Sequence, residues 1–248
     1  LSNRKQDHQG HGRGSTRRET IISLGGLLML SGMALPLPSN ATGGSNGRTL
    51  AGTWQVRLDP DDAGIEKRWY TQSLTQAARL PSSLSELREG DPITPNTPWT
   101  GEIVDQSFVT SADFAQYRTP GNVKVPFWLQ PETYYKGAAW YQRPLDLPKS
   151  WKGKRLVLTL ERPHWQTTVY YDGREIGSCD SLFTPHLYDL GLVDRLDALL
   201  SIRVDNRMIV DIGSNSHGIT DHTQGNWNGI VGRIELALVD PDEIQHIE

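Results

Sequence analysis

The feature that most constrains the fold of this chain is a set of short runs in which apolar side chains recur at every second position. Trp54, Val56 and Leu58 follow this spacing, and so do the leucine or isoleucine residues of 156–160 and 234–238. A period of two is typical of strands that bury one face. Runs rich in β-branched and aromatic residues predict three more strands, at 139–143, 167–171 and 201–205. Strands separated by turn-rich segments, without a long helical period, predict an all-β antiparallel sandwich.

Two local signals concern the connections between strands. Asp172-Gly173 tolerates the positive φ of a tight turn, so 167–171 is predicted to fold back onto 175–178 as a hairpin. A short helix is predicted within 71–87, where Leu74, Ala77 and Ala78 share one helical face, although Pro81 interrupts the pattern.

Residues 88–137 form a stretch rich in Pro, Gly, Asn and Thr that is too long for an ordinary connection. Its aromatic content is too high for a disordered linker. We expect a long aromatic loop insertion that packs over one end or one face of the sandwich. The aromatic residues are Trp99, Phe108, Phe114, Phe127, Trp128, Tyr134 and Tyr135.

The N-terminal 41 residues have the pattern of an export signal peptide. Arg and Lys residues dominate the charges of 1–20, and 21–41 carries no charge, contains an apolar run and ends with small residues at Ser39-Asn40-Ala41. A membrane anchor is the alternative, but Pro36 and a glycine pair interrupt the apolar run. Thr16-Arg17-Arg18 leaves the Sec and twin-arginine routes both open. We expect an exported, periplasmic or extracellular protein without a membrane segment after cleavage, followed by a flexible linker at 42–49.

Composition excludes several classes of function. The net charge is −4, with 25 basic and 29 acidic residues, so no overall basic field favours nucleic acid as a partner. A single cysteine, Cys179, excludes an intramolecular disulfide framework and a multi-cysteine zinc site. Cys179 also lacks a paired base in the sequence pattern, which argues against a catalytic nucleophile.

A series of motifs resembles the N-terminal sugar-binding domain of glycoside hydrolase family 2, the family of β-galactosidases and β-glucuronidases. The resemblance begins with KVPFWLQP at 124–131 and YYKGAAWYQR at 134–143. It covers roughly 50–240 and implies a jelly-roll-like, galactose-binding-domain-like sandwich over those residues, with 241–248 starting a linker to a missing downstream domain. The further motifs are GTW (52–54), LDP (58–60), WKGKR (151–155), LERPHW (160–165), YDG (171–173), TPH (184–186), YDL (188–190), IRVDNR (202–207) and NWNGIVGRIEL (226–236).

The resemblance also implies where the chemistry of such a protein lies. Family members are retaining exo-glycosidases whose two glutamates sit in a TIM barrel, which follows the sandwich and an immunoglobulin-like domain. This sequence has no Asn-Glu dipeptide, the acid/base signature of that barrel. We therefore expect no catalytic residue, cofactor or metal in this chain. The expected partners are carbohydrate, as a β-glycoside, and the missing domains of the same protein.

The segment before the last predicted strand holds the candidate sugar-binding residues. Asp221, Asn226, Trp227 and Asn228 combine an aromatic plane with amides and a carboxylate, the mixture that a sugar's C–H face and hydroxyl edge require. In the family, the corresponding loop points into the barrel's active site. Family members often carry an acid six positions before the glycine that matches Gly229, where this sequence has a threonine. Asp221 is the nearest acid.

The bland interpretation of the same segment is structural. Asn228-Gly229 would form a turn, Trp227 would belong to the core and Asn226 would bond its own backbone. For His164 and Trp165 we favour packing on the sandwich, with Pro163 marking an edge or a bulge. His217 and His222 are weak metal candidates because their spacing lacks a strand or helix context.

Three functions remain open from the sequence. The favoured one is a non-catalytic domain of an exported family 2 exo-β-glycosidase, of the β-galactosidase-like branch, which supports the barrel and lines its pocket. The second is a secreted, stand-alone carbohydrate-binding module resembling a lectin. The third is an interaction domain whose exposed aromatic patch would be an interface.

Overall fold

The computed structural model describes residues 47–210, 213, 216–222 and 225–239. The predicted signal peptide and the predicted C-terminal linker lie outside these residues. None of the helices in the described ranges combines the length and apolar character needed to cross a bilayer. The strands are β1 (Gly47–Thr49), β2 (Gly52–Asp59), β3 (Gln76–Leu80), β4 (Ser82–Ser83), β5 (Asp91–Pro92), β6 (Thr133–Tyr134), β7 (Ala138–Asp146), β8 (Arg155–His164), β9 (Gln166–Tyr171), β10 (Arg174–Cys179), β11 (His186–Leu192), β12 (Asp197–Asp205) and β13 (Gly229–Val239).

Helical structure in the described chain is short. It comprises the α-helices α1 (Leu84–Leu87) and α2 (Ser107–Thr110) and the 3₁₀ helices Trp69–Thr71, Ala112–Arg118 and Lys149–Trp151.

Two antiparallel sheets form the sandwich. One has the order β1-β13-β8-β11 with β4 also paired to β13, and the other has the order β10-β9-β12-β7-β2-β3. A separate two-stranded pair, β5-β6, lies within the insertion. The predicted all-β, jelly-roll-like antiparallel sandwich is thereby confirmed.

The alternating runs supply the core between the sheets, as their period predicts. Side chains from strands of both sheets belong to one apolar cluster. Burial of apolar area at about 25 cal/mol per Å² is the main force that holds such layers together. Fully buried members include Leu156, Leu158 and Leu160 of β8 and Leu200, Ile202 and Val204 of β12.

The predicted helix within 71–87 is wrong over most of its length. Residues 76–80 form β3, which pairs with β2 from Gly52↔Leu80 to Val56↔Gln76. Ala78 and Leu80 point inward at a spacing of two and Ala77 points outward, which is the pattern of a strand, and the edge of β2 supplies the pairing partner. Within this range only Leu84–Leu87 is α-helical, with Ser83 Oγ accepting from Glu86 N at 3.2 Å as an N-cap.

The predicted linker at 42–49 includes three residues that are not a linker. Gly47–Thr49 form β1 and pair with β13 in the register Gly47↔Ala237 to Thr49↔Glu235. An extended segment satisfies the backbone groups along the edge of β13, which composition alone does not reveal. The rest of that linker lies outside the described residues.

The predicted hairpin is confirmed. Arg174 pairs with Tyr171, and both turn residues, Asp172 and Gly173, have positive φ, 50° and 78°. This is the backbone conformation that a two-residue hairpin turn requires.

The insertion has a small apolar core of its own. Phe108, Val123 and Val125 are buried there, and Trp99 meets the edge of the Phe127 ring at a centroid distance of 5.0 Å. Trp99 also contacts Tyr134 at 4.7 Å, which connects this core to β6. Trp128 and Leu129 instead point outward and are 87% and 69% exposed.

A segment between β2 and β3 covers the outer face of the six-stranded sheet. We name residues 60–75 the strap. Buried Asp59 accepts hydrogen bonds from Ala63 N at 2.8 Å, Gly64 N at 2.9 Å and Trp140 Nε1 at 2.9 Å. Further along, Tyr70 stacks on Tyr170 with a centroid distance of 4.3 Å and an interplanar angle of 7°. Sequence analysis did not foresee the strap.

Candidate functional site

Several connecting segments meet at one end of the sandwich, which we call the loop end. Sheet register places the end of β12, Asp205, opposite Ala138 and Gln166, and the start of β13, Gly229, opposite His164. The insertion, the β8–β9 junction and the residues between β12 and β13 therefore all leave the sandwich at this end. The four predicted sugar-binding residues lie here.

Asn228 is a buried brace between strands. Its Oδ1 accepts from the Tyr141 hydroxyl at 2.9 Å, and its Nδ2 donates to Gly137 O at 2.9 Å and to Val204 O at 3.0 Å. The side chain is 1% exposed. Both donors and the acceptor of the amide are thus engaged within the protein. Gly229 follows in β13, and a Cβ there would lie 2.5 Å from Ser82 O, so the tight approach of β4 requires glycine.

Asn226 joins three separate parts of the chain. Its Nδ2 donates to Thr100 Oγ1 at 2.8 Å and to Asn206 O at 2.9 Å, and its Oδ1 lies 2.9 Å from His164 Nε2. Because the amide nitrogen is already a double donor, Oδ1 is the acceptor and Nε2 of His164 carries the proton. The insertion, the end of β12 and the end of β8 are held together by this one side chain.

Asp221 completes the network. Its carboxylate accepts from Thr100 N at 2.6 Å, from the Tyr134 hydroxyl at 2.7 Å and from Asn226 N at 2.8 Å. Its own N–H donates to Thr100 O at 2.9 Å, so Asp221 and Thr100 form a reciprocal pair. Burial raises the pKa of Asp221, and the hydrogen bonds from Tyr134 and the two backbone groups oppose that rise. Burial and the neighbouring Asp221 charge together raise the pKa of Tyr134 above its usual range.

Trp227 is the half-buried member of the predicted set. Its ring stacks on His164 with a centroid distance of 4.9 Å and an angle of 25°, and Trp165 lies 6.3 Å from His164 on a similar plane. Burial lowers the pKa of His164 to about 4, so the imidazole is neutral at pH 7. A neutral, hydrogen-bonded ring therefore supports an aromatic side chain that solvent can reach.

The structure brings the four predicted residues together and gives them different surroundings. The side chains of Asp221, Asn226 and Asn228 form their hydrogen bonds with other groups of the protein, which agrees with a structural role. Two details of the structural interpretation were wrong. The Asn226 side chain bonds other segments rather than its own backbone, and Asn228-Gly229 leads directly into β13 rather than forming a turn. Trp227 alone offers surface for a ligand, and direct sugar contact by these residues remains a prediction.

Sequence reasoning missed Thr100 and Tyr134 as parts of this site. Thr100 is 121 residues from Asp221, and a lone threonine in a loop carries no pattern that reveals such a partner. Tyr134 lies in the quoted motif YYKGAAWYQR, which is the only signal that could have identified it.

The weak metal candidates gain no support from the geometry. His217 is exposed and His222 half-buried. Within the described residues, no three His, Cys, Asp or Glu side chains are arranged to hold a metal ion.

Together, the two sheets and the braced loop end define a jelly-roll-like β-sandwich. The comparisons with known proteins agree with this class. Two structures of the β-glucuronidase from Ruminococcus gnavus superpose on this chain, and each match covers 80% of this chain and 30% of the β-glucuronidase chain. The complex with uronic isofagomine has a TM-score of 0.54 and 17% sequence identity. The apo form has a TM-score of 0.53 and 18% identity. This likeness shows a shared fold.

A curated relative points to the same proteins. The β-glucuronidase of Paenibacillus borealis is 22% identical over 143 residues, which are 58% of this chain and 18% of that protein. No protein-family model matches the chain. The similarity to β-glucuronidases confirms the resemblance that the motifs indicated, and the chain spans less than a third of the length of these proteins.

Proposed function

We propose that the chain is the non-catalytic sugar-binding sandwich of an exported family 2 exo-β-glycosidase, where it supports the barrel and lines its substrate pocket. The observation that carries the proposal is partial coverage. Four fifths of this chain share the fold of β-glucuronidase structures, but only 30% of each of those structures is matched. The sequence motifs favoured the β-galactosidase-like branch, and the similar proteins are β-glucuronidases, so the proposal covers neutral and uronic β-glycosides.

The distribution of exposed apolar side chains supports a role beside another domain. Trp128, Phe183 and Val210 are 87%, 94% and 51% exposed, and all three lie on segments that leave the loop end. Large exposed apolar side chains gathered on one part of a surface favour an interface. In this proposal the barrel and the immunoglobulin-like domain cover them.

The decisive experiment uses the full reading frame. We expect the frame to continue past the codon for Glu248 into a barrel with two catalytic glutamates, and the full protein to hydrolyse an aryl β-glycoside. Trp227→Ala should raise KM at least about tenfold with a smaller change in kcat, because stacking binds the ground state and the transition state alike. Lys152→Met, at the opposite end of the sandwich, is the matched control. A full protein that hydrolyses none of the common aryl β-glycosides would contradict the proposal.

A stand-alone carbohydrate-binding module is the second candidate. The observation that favours it is Trp227, whose ring is presented at the surface by a stack of buried aromatic side chains. Calorimetric titration of the chain with a panel of glycans tests it. Binding that disappears in Trp227→Ala would support this candidate, and a flat response to every glycan would exclude it.

Export is proposed from the N-terminal pattern alone. The basic n-region, the uncharged apolar stretch and Ser39-Asn40-Ala41 support cleavage after Ala41. Expression of the full precursor in a Gram-negative host, followed by N-terminal sequencing of the periplasmic protein, should give Thr42 as the first residue. Retention of an uncleaved protein in the membrane fraction would favour the anchor instead.

A further inference from the structure

A crevice beside the insertion is lined by residues that the predicted sugar-binding set does not include. Its volume is about 350 Å³, and its walls come from Pro60, the segment 91–98 and the segment 134–136. This size is typical of sites for small molecules. We call it the insertion crevice.

The walls of the insertion crevice are held in place by hydrogen bonds. Thr94 N donates to Thr97 Oγ1 at 2.8 Å and Thr97 N donates to Thr94 O at 3.1 Å, which closes the turn on one side. On the other side the Tyr135 hydroxyl donates to Ala138 O at 2.6 Å and accepts from Asp59 N at 3.0 Å. A site whose walls are already ordered loses less conformational entropy when a ligand binds.

The apolar part of the lining comes from rings. Pro60, Pro92 and Pro98 contribute saturated rings, and Tyr134 and Tyr135 contribute aromatic ones. Both tyrosine hydroxyls are engaged within the protein, so the tyrosines offer carbon surface to the crevice. Such surface suits the C–H face of a sugar ring.

The polar part combines a donor and an acceptor of opposite charge. Lys136 Nζ donates to Trp99 O at 3.2 Å, and an ammonium has three N–H groups, so two remain for a ligand. Burial lowers the pKa of Lys136, and the Asp221 charge opposes that effect. In the described chain the exposed Asp91 carboxylate makes no side-chain hydrogen bond or ion pair, and neither does the Asn96 amide.

We propose that the insertion crevice binds one pyranose unit of a glycan through two neighbouring hydroxyl groups. The Asp91 carboxylate accepts a hydrogen bond from one hydroxyl, and the Lys136 ammonium donates to the oxygen of the other. The proline and tyrosine rings cover the C–H face of the sugar. A sugar hydroxyl can donate one hydrogen bond and accept others. A pair of neighbouring hydroxyls can therefore satisfy the carboxylate, which only accepts, and the ammonium, which only donates. The proposal does not depend on the chain being part of a glycosidase.

The test is calorimetric titration of the full chain with methyl β-D-glucopyranoside and methyl β-D-galactopyranoside. We expect at least one of them to bind, and Asp91→Asn and Lys136→Met each to weaken that binding at least about tenfold, the effect of one lost hydrogen bond to a charged group. Asp194→Asn and Lys152→Met, which change the same residue types on exposed sites at the opposite end, should leave the affinity unchanged. Melting curves of all variants verify that each is folded.

The results separate this crevice from the Trp227 surface. Binding that survives Trp227→Ala and is weakened by Asp91→Asn supports the crevice. Binding lost in Trp227→Ala and unchanged in both crevice variants overturns it and assigns the sugar to the Trp227 surface. A flat titration with both glycosides overturns it as well, and it leaves untouched the question whether the longer protein hydrolyses glycosides.

Discussion

At the scale of single residues, the loop end is held by polar side chains that are buried and fully used. A buried polar group without a partner costs about 1–3 kcal/mol, so a folded chain retains such groups where partners surround them. Asp221, Asn226 and Asn228 each bond segments that are far apart in sequence. Their chemistry would also suit a sugar, and therefore residue type alone could not separate the two roles.

Replacing Asp221 with Asn tests this bracing role. The amide presents two N–H groups where the carboxylate accepts from Thr100 N, the Tyr134 hydroxyl and Asn226 N, so at least one buried donor loses its partner. We expect the free energy of unfolding to fall by about 2 kcal/mol. Urea denaturation followed by fluorescence measures the change. Asp194→Asn, at an exposed site, should change it by less than about 0.5 kcal/mol, and an equally small effect of Asp221→Asn would refute bracing.

His164 predicts a dependence of stability on pH. Its pKa is about 4 in the folded state, and a histidine in the unfolded state titrates near 6.5. The unfolded state therefore binds the proton first, so the stability contributed by neutral His164 is present above about pH 6.5 and is lost as the pH falls towards 4. The loss should reach roughly 2–3 kcal/mol at pH 4.5.

The measurement compares unfolding free energies of the wild type and His164→Gln at pH 7 and pH 4.5. Glutamine keeps a donor for Asn226 Oδ1 and removes the titration. We expect the difference in unfolding free energy between the two proteins to be smaller at pH 4.5 than at pH 7, because only the wild type loses the stability contributed by neutral His164. A difference that stays constant would show that His164 titrates normally.

At the scale of elements, the strap explains why the outer face of the six-stranded sheet is not an open surface. Asp59 binds two backbone N–H groups of the strap and the indole of Trp140, and Tyr70 stacks on Tyr170. The guanidinium of Arg57 also lies 3.6 Å above the Trp69 ring. The rings of Trp140 and Tyr170 on this face of the sheet are therefore covered by the chain itself.

Gly64→Ala tests how tightly the strap is fitted. A Cβ at this position would lie 2.3 Å from Trp140 Nε1 and 2.6 Å from Asp59 Oδ2, so the strap must move or the Asp59 hydrogen bonds must break. We expect a destabilisation of about 1–3 kcal/mol, typical of overpacking a buried contact. Gly47→Ala is the control, since the nearest atom to its Cβ would be Leu236 O at 3.6 Å. Equal unfolding free energies for the two variants would count against a close fit.

At the scale of the whole molecule, the two ends of the sandwich differ in character. The loop end carries the insertion, the hydrogen-bonded network and most of the large apolar side chains that solvent reaches, whereas the opposite end has short connections such as 172–173. Short connections at one end and long ones at the other are expected when a rigid scaffold presents loops for a purpose.

This asymmetry predicts self-association of the chain in the absence of further domains. Trp128 and Phe183 are more than four fifths exposed, and burying them in a contact between copies would remove apolar surface from water. We expect light scattering to show a mass that rises with concentration, and the double variant Trp128→Ser with Phe183→Ser to remain monomeric at the same concentrations. Leu192→Ser, which removes an exposed apolar side chain at the other end, is the control. Identical masses for the double variant and the wild type would contradict an apolar interface at the loop end.

The sequence alone determined the layers of this protein. Alternation at 54–58, 156–160 and 234–238 records which face of a strand is buried, and Asp172-Gly173 records a turn, because both properties depend on residues adjacent in the chain. Only the tertiary structure decided the rest. Leu74, Ala77 and Ala78 share one face only in a helix, and pairing of 76–80 with the edge of β2 overrides that local pattern. Asp221 and Asn228 became braces because Thr100, Tyr134 and Tyr141 lie beside them in space, and hydrogen bonds across such distances in sequence leave no local pattern.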